Sequence, residues 1–202
     1  MKLYYSPGAC SLSPHIVLHE SGLPFTAIMA STKTHKLQDG TDYYSINPLG
    51  YVPLLELADG RRLHEGPAIV QYIADQVPQT RLAPANGSFE RYKLQEWLTF
   101  IGTELHKGFS PLFNPATPAD YKPLVIERLL GRLQWVDGEL AGKAYLLGDD
   151  FSVADAYLFT VTGWSRHVGV DISALAQLNA HHARVGARPA VQAALKAEGL
   201  LK

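Results

Sequence analysis

The chain contains a single cysteine, and its position makes it the first candidate for chemistry. Cys10 lies in YYSPGACSLSPH (residues 4–15), between a Pro-Gly turn and residues that start a helix. Unpaired backbone N–H groups and the positive end of the helix dipole stabilise a thiolate at such a place. There the pKa of a cysteine can fall from about 8.5 to between about 3.5 and 7.5. Cys10 is therefore a candidate nucleophile, and the alternative is a small buried core residue.

A lone thiol restricts the redox chemistry that is available. Ser13 stands where a dithiol oxidoreductase would carry its second cysteine. No internal disulfide can form, which agrees with a reducing compartment. Cys10 can form a mixed disulfide only with an outside thiol, and glutathione is the first candidate in a reducing cytoplasm.

Other motifs that would indicate chemistry are weak or missing. His15 and His19 are spaced i, i+4, but no glutamate follows His15 as in a zincin motif, and no cluster completes a set of metal ligands. We therefore expect no metal. The sequence contains no G-x-S-x-G elbow, P-loop or G-x-G-x-x-G fingerprint, which argues against the commonest hydrolases, kinases and dinucleotide-binding proteins.

The first part of the chain must position Cys10, and its pattern predicts mixed α/β structure. Strand formers at Lys2 to Tyr5, helix signals from Ser13-Pro14 to Gly22 and a strand from Phe25 make a βαβ unit with parallel strands. VPLLEL and RRL flank Asp59-Gly60, which predicts a hairpin, and a helix should run from Gly66 to about Val77.

The second part is predicted to be helical throughout. The Pro- and Gly-rich stretch at residues 78–88 indicates a linker. We therefore assign a thioredoxin-like α/β domain to residues 1–80, a linker to 81–87 and an all-helical domain to 88–202. One helical face repeats apolar residues at steps of three or four: Tyr121, Val125, Leu129, Leu133, Val136 and Leu140. Ser152 and Asp155 form a capping box, flanked by Phe151 and Ala156 at the staple positions.

Composition excludes several classes of partner. With a formal net charge of −1 and 47% hydrophobic residues, the chain has a globular composition and no positive field to attract nucleic acid or an anionic membrane. It has no apolar run of about 18 residues that could span a bilayer, and its start lacks the apolar region of a signal peptide. A cytoplasmic location is the expectation.

Several segments together resemble the bacterial glutathione transferases, specifically the beta class. They are YYSPGACSLSPHIVLHESGLPF, NPLGYVPLLEL, HEGPAIVQYIADQV, ELHKGFSPLF and SVADAYLF, and the similarity covers essentially the whole chain. The resemblance implies glutathione as co-substrate, a homodimer, and a helical domain that lines the pocket for a small hydrophobic electrophile. It also implies that Cys10 faces the glutathione sulfur.

The resemblance assigns further residues in the first domain. It implies a cis peptide before Pro53, with the Val52 backbone pairing to the cysteinyl part of glutathione. Glu65 and Gly66 would receive the γ-glutamyl carboxylate at a helix N-terminus. Many relatives carry serine at position 66, so the contact here would come from the backbone.

His35 stands where related sequences tend to carry a lysine that pairs with the glycyl carboxylate. A neutral histidine would bind that carboxylate more weakly, and Lys33 or Lys36 could replace it.

In the second domain the resemblance points to one stretch of helix. Thr99, Thr103, Glu104 and Leu105 match positions near the peptide, with Glu104 reaching the glutathione amine across the dimer. His106 would point at the sulfur.

Conjugation of glutathione to electrophiles is the first functional hypothesis. A glutathione-dependent disulfide reductase that uses Cys10 and a non-catalytic ligand-binding protein are the alternatives. Cys10, His106, Tyr5 and Ser11 all remain open as the group that activates the thiol. Candidate residues for lining the electrophile pocket, each equally plausible as core, are Phe109, Phe113, Tyr121 and Trp164.

Overall fold

Four short strands form one mixed sheet in the order β2-β1-β3-β4. The computed structural model describes residues 1–201. Strand β1 pairs in parallel with β2 and antiparallel with β3, and β3 pairs antiparallel with β4. The strands are β1 Lys2–Tyr5, β2 Thr26–Met29, β3 Leu54–Glu56 and β4 Arg62–Leu63. The βαβ unit and the hairpin predicted from the sequence are both confirmed.

Helix α1, Leu12–Ser21, connects the two parallel strands. It begins one residue before the predicted Ser13-Pro14 start, because the turn containing Cys10 continues directly into the helix: the Ser13 N–H donates to the Cys10 carbonyl at 3.2 Å. Ser13 is thus inside the helix and does not cap it. The predicted stop is confirmed, since Gly22 adopts the left-handed conformation with φ 68°.

Helix α2, Gly66–Asp75, follows the hairpin and packs against α1. It ends two residues before the predicted Val77, and Pro78 then opens a short 3-10 turn. Helix and sheet share a core of fully buried aliphatic side chains, which include Leu3, Ile16, Leu54, Ile69 and Ile73.

The remaining helices begin after residue 88. They are α3 Phe89–Phe100, a π-helical segment Ile101–His106, α4 Lys107–Phe113, α5 Lys122–Glu139, α6 Val153–Thr162, α7 Ser165–Val168, α8 Ala176–Gly186 and α9 Pro189–Ala197. The predicted face of α5 is buried at Val125, Leu129, Leu133 and Val136, whereas Tyr121 at its start is 50% exposed. A turn at Gly163 and Trp164 divides the predicted helix after Ser152 into α6 and α7.

Contacts divide the chain into two compact units. The N-terminal unit comprises Met1–Ala83 and the segment from Ala187 onward, and the helical unit comprises Pro84–Gly186. This division differs from the predicted helical domain at 88–202, because α9 packs on α1. Val191 is buried on α9, and Arg188 forms a two-pronged ion pair with Glu20 of α1. Within residues 1–201, no helix is both long and apolar enough to cross a membrane.

Candidate functional site

The turn before α1 is held by its own side chains. Ser11 is fully buried, and its hydroxyl accepts from the Ser6 N–H at 3.1 Å and donates to the Ser6 carbonyl at 3.2 Å. Between them, the Gly8 N–H donates to Glu198 at 2.8 Å. The Ser11 hydroxyl is therefore used to shape the turn, which weakens its case as the group that activates a bound thiol.

Cys10 lies in this turn, between β1 and α1, as the sequence predicts. Its side chain is partly exposed, and Sγ donates to the Val52 carbonyl at 3.2 Å. The peptide bond that follows, Val52–Pro53, is cis, as the resemblance implies. The structure thus brings Cys10, Val52 and Pro53 together at the end of the sheet where β1 finishes and β3 begins.

The backbone before Val52 is fixed by two hydrogen bonds. The Tyr51 carbonyl accepts from the Tyr43 hydroxyl at 2.9 Å and from Asn47 Nδ2 at 2.7 Å. Tyr43 is fully buried, and this burial raises its pKa to about 12, so its hydroxyl stays protonated and available as a donor. These bonds set the direction of the Val52 carbonyl toward Cys10.

The start of α2 lies beside Pro53. A Cβ atom placed on Gly66 would lie 3.9 Å from Pro53 Cγ, which is ordinary contact. The Glu65 carbonyl accepts from the N–H groups of Ala68 and Ile69, whereas the Gly66 N–H has no hydrogen-bond partner within residues 1–201. Gly66 therefore offers one backbone donor beside Pro53. Glu65 is exposed, with φ 65°.

His35 occupies a different setting. Its ring stacks on Tyr44 with centroids 4.5 Å apart, and a Cβ on Gly50 would lie 2.8 Å from its Nδ1. Gly50 is thus required for the ring to lie where it does. Lys33 and Lys36 are exposed. A contact of His35, Lys33 or Lys36 with a glycyl carboxylate stays a prediction.

His106 ends the π-helical segment of the helical unit. Its Nδ1 lies 2.7 Å from the Tyr157 hydroxyl, and its ring meets Trp164 edge to face at 4.9 Å between centroids. Burial, with a smaller contribution from Lys107, lowers the pKa of His106 to about 4. The imidazole is therefore neutral at pH 7.

Trp164 contacts two more of the candidate lining residues. Its ring meets Phe109 at 5.9 Å and Phe113 at 5.7 Å, both edge to face. Phe109 is fully buried and Phe113 is 50% exposed. His106 thus stands beside an aromatic cluster, which suits an apolar ligand.

The four candidate residues that precede His106 make different contacts from one another. Glu104 Oε2 accepts from Arg132 at 2.9 Å and from Arg128 at 3.4 Å, and these bonds lower its pKa. The Thr103 hydroxyl donates to the Thr99 carbonyl at 3.0 Å. Leu105 is fully buried in the core. The peptide contacts expected of all four residues stay predictions.

A cavity of about 360 Å³ opens beside Glu104. Thr103, Lys107 and Tyr121 also line it, together with aliphatic side chains of α5. Tyr121 therefore lies in this cavity, whereas Trp164 belongs to the aromatic cluster beside His106. Within the described residues, no group of three or more His, Cys, Asp or Glu side chains could hold a metal ion.

Comparison with known proteins identifies the family. Residues 8–76 match the family model of the glutathione S-transferase N-terminal domain, and residues 100–189 match that of the C-terminal domain. The chain is also 49% identical to glutathione S-transferase GstA of Escherichia coli O157:H7, over 99% of this chain and 100% of that protein. The chain belongs to the glutathione S-transferase family.

Solved structures of relatives specify the class. A sphingomonad glutathione S-transferase complexed with glutathione is 49% identical, with a TM-score of 0.95 over 100% of both chains. A beta-class glutathione S-transferase of Sphingomonas chungbukensis is 48% identical, with a TM-score of 0.96 over 100% of both chains. The chain is a beta-class transferase (EC 2.5.1.18) that uses glutathione as co-substrate.

Sequence reasoning missed three residues around the site of this glutathione transferase. Tyr157 lies on α6, the helix that follows the capping box, and no sequence signal singled it out. Arg128 and Arg132 are spaced i, i+4 on α5, and this spacing could have suggested a shared carboxylate partner.

Proposed function

We propose that this transferase conjugates the glutathione thiolate to small hydrophobic electrophiles, and that the peptide binds where Cys10, Val52, Pro53 and Gly66 meet. One observation carries the proposal: Cys10 Sγ lies 3.2 Å from the carbonyl of Val52, next to the cis Val52–Pro53 bond. A peptide that pairs with the Val52 backbone would bring its own sulfur close to Cys10.

The start of α2 supplies the complementary half of the peptide site. The Gly66 N–H is an available donor at the N-terminus of a ten-residue helix. Backbone N–H groups and the helix dipole favour a carboxylate at such a position. Glu65 and Gly66 are proposed to receive the γ-glutamyl carboxylate at this helix start, and His35 is proposed to contact the glycyl carboxylate.

The helical unit is proposed to supply the electrophile pocket and a group that acts on the sulfur. Trp164 and Phe113 offer apolar surface, and His106 stands beside them with a neutral ring. In a homodimer, Glu104 would reach the amine of the glutathione bound to the partner subunit, and Thr99, Thr103 and Leu105 would lie near the peptide.

The thiol of Cys10 favours a second activity, the glutathione-dependent reduction of disulfides. The Cys10 thiolate would attack a disulfide that contains glutathione, form a Cys10–glutathione disulfide and release the other thiol. A second glutathione thiolate would attack that bond and give glutathione disulfide and reduced Cys10. As a net result, one free glutathione is oxidised, the thiol bound to glutathione in the substrate is released in reduced form, and Cys10 is regenerated.

One pair of assays tests both activities. Wild type, Cys10→Ala and Cys10→Ser are compared in conjugation of a chlorodinitrobenzene and in reduction of a small glutathione-containing disulfide. We expect both variants to lose disulfide reduction and to retain conjugation. Intact mass after incubation with oxidised glutathione should show one reductant-sensitive adduct on wild type only.

Each outcome has a distinct meaning. Wild type without conjugation above background would refute the first proposal, and glutathione binding without turnover would favour a non-catalytic ligand-binding protein. Equal disulfide reduction by wild type and Cys10→Ala would refute the second. Lys196→Ala, an exposed change on α9, is the matched control for both assays.

A further inference from the structure

The ring of His106 is held at one of its two nitrogens. Nδ1 lies 2.7 Å from the Tyr157 hydroxyl, while Nε2 has no hydrogen-bond partner among residues 1–201. One nitrogen is therefore committed to the protein, and the other is available to a ligand.

The hydroxyl of Tyr157 is well fixed. Tyr157 is 4% exposed and belongs to α6, whose first turn is secured by Asp155. On the other side, a Cβ on Gly102 would lie 3.7 Å from the Tyr157 oxygen, so the π-helical segment runs close to it. Neither the tyrosine nor the segment that carries His106 can move away without repacking.

The chemistry of the two groups decides which one donates. Burial keeps the His106 ring neutral at pH 7, so it carries one N–H. A phenol is a strong donor and a weak acceptor, whereas an imidazole nitrogen is a strong acceptor. The 2.7 Å separation also fits a hydroxyl donor, since N–H donors usually lie about 2.9–3.0 Å from oxygen.

We infer that Tyr157 donates to Nδ1 and thereby fixes His106 as the Nε2–H tautomer, so that His106 serves as a hydrogen-bond donor to the glutathione sulfur. In this role it stabilises the thiolate and does not remove the proton, which leaves to water. Tyr157 is a positioning residue that acts through His106. The action on sulfur rests on the proposed function, whereas the tautomer does not.

The tautomer is tested directly in the ligand-free protein. Ring nitrogen chemical shifts of nitrogen-15-labelled histidine distinguish the two tautomers, and His106→Gln assigns the signal. We expect wild type to show the Nε2–H form, and Tyr157→Phe to show a mixture. Tyr92→Phe, the same change on a ring that is 61% exposed, should leave the His106 signal unchanged.

Two results would overturn the tautomer assignment. The first is an Nδ1–H form in wild type, which would make the tyrosine oxygen the acceptor. The second is an unchanged His106 signal in Tyr157→Phe, which would show that the hydroxyl has no influence on the ring.

Kinetics test the action on sulfur separately. A glutamine amide can donate near the position of Nε2, so His106→Gln should retain more kcat than His106→Ala if a donor is needed. A base would be lost equally in both variants, and that result would overturn the donor role. Tyr157→Phe should lower kcat about fivefold, as expected for one weakened hydrogen bond, with little change in KM for glutathione.

A failure of the tautomer assignment can be distinguished from a failure of the proposed action of His106 on sulfur. If His106 shows the Nε2–H tautomer but neither His106 variant changes the kinetics, the tautomer assignment stands and the proposed action of His106 on sulfur is refuted.

Discussion

Both compact units contain a buried carboxylate that accepts a hydrogen bond from a buried histidine. In the helical unit, Asp155 Oδ1 lies 2.9 Å from His181 Nε2. In the N-terminal unit, Glu198 Oε1 lies 2.8 Å from His15 Nδ1. None of the four residues is more than 5% exposed. The same chemical pair therefore occurs once in each unit.

The other donors to these carboxylates differ in sequence distance. Asp155 also accepts from Ser152, three residues away, and from the Leu146 N–H, nine residues away. Glu198 also accepts from Gly8, which is 190 residues away and lies in the turn that carries Cys10. Asp155 thus secures the start of one helix, whereas Glu198 attaches the C-terminal segment to the turn that positions the thiol.

The largest expected effect follows from removing the helical unit's carboxylate. Asp155→Ala leaves the Leu146 and Ser152 N–H groups and His181 without their acceptor in a buried site. We expect the free energy of unfolding to fall by roughly 3–5 kcal/mol, measured by urea denaturation. Ser152→Ala removes only one hydroxyl and should cost about 1 kcal/mol, which provides a milder variant if Asp155→Ala does not fold.

The control for this experiment is Asp149→Ala, which removes a nearby exposed carboxylate. It should change the free energy of unfolding by less than about 0.5 kcal/mol. If Asp155→Ala were as stable as Asp149→Ala, the view of Asp155 as the centre of a buried network would be wrong.

A somewhat smaller loss, with an added effect on the thiol, is expected in the N-terminal unit. Glu198→Ala removes the carboxylate that accepts from the Gly8 N–H and pairs with His15, and should lower the free energy of unfolding by roughly 2–4 kcal/mol. Because Gly8 is two residues from Cys10, alkylation of Cys10 by iodoacetamide should also become faster. Asp155→Ala should not accelerate alkylation under conditions where the protein remains folded.

Glu20→Gln is the matched control, since Glu20 joins the same two helices through its ion pair with Arg188. The Arg188 side chain is 29% exposed, so this pair should contribute less than about 1 kcal/mol. Equal alkylation rates in Glu198→Ala and Glu20→Gln would show that Glu198 does not hold the Cys10 turn.

These two carboxylates also show why sequence predicts one part of the structure and misses another. The spacing of Ser152 and Asp155 is a local pattern, and the structure shows Asp155 accepting from the Ser152 N–H at 2.8 Å. Glu198 follows an apolar helix face near the end of the chain, and nothing beside it in sequence indicates a partner at Gly8. Local hydrogen bonding is predictable from spacing, whereas a contact across 190 residues requires the fold.

The candidate site likewise has local features that the sequence predicts and long-range contacts that it does not. The position of Cys10 before α1 follows from a strand, a turn and a helix that are adjacent in sequence. Its hydrogen bond to the Val52 carbonyl was not predicted, although the resemblance assigned both residues to the glutathione site, because hydrophobic periodicity does not indicate which loop returns to the turn. The bond between His106 and Tyr157 was not predicted, since the two residues are 51 positions apart and belong to separate helices.

The smallest effect concerns two histidines of the helical unit. Within the described residues, neither His106 nor His182 pairs with a carboxylate, and burial lowers the pKa of each to about 4. The unfolded chain, with a histidine pKa of about 6.5, binds more protons between about pH 4 and 6.5. The contribution to stability is therefore present above pH 6.5 and is lost as the pH falls, by roughly 1–3 kcal/mol per histidine.

Urea denaturation at a series of pH values from neutral to acidic measures this loss. His106→Gln and His182→Gln should each flatten the dependence, because glutamine does not titrate. His19 of the N-terminal unit, whose pKa is also lowered by burial and by His15, provides the comparison. If His19→Gln flattened the curve more than both other variants together, the acid sensitivity would belong to the N-terminal unit, and the assignment to His106 and His182 would be wrong.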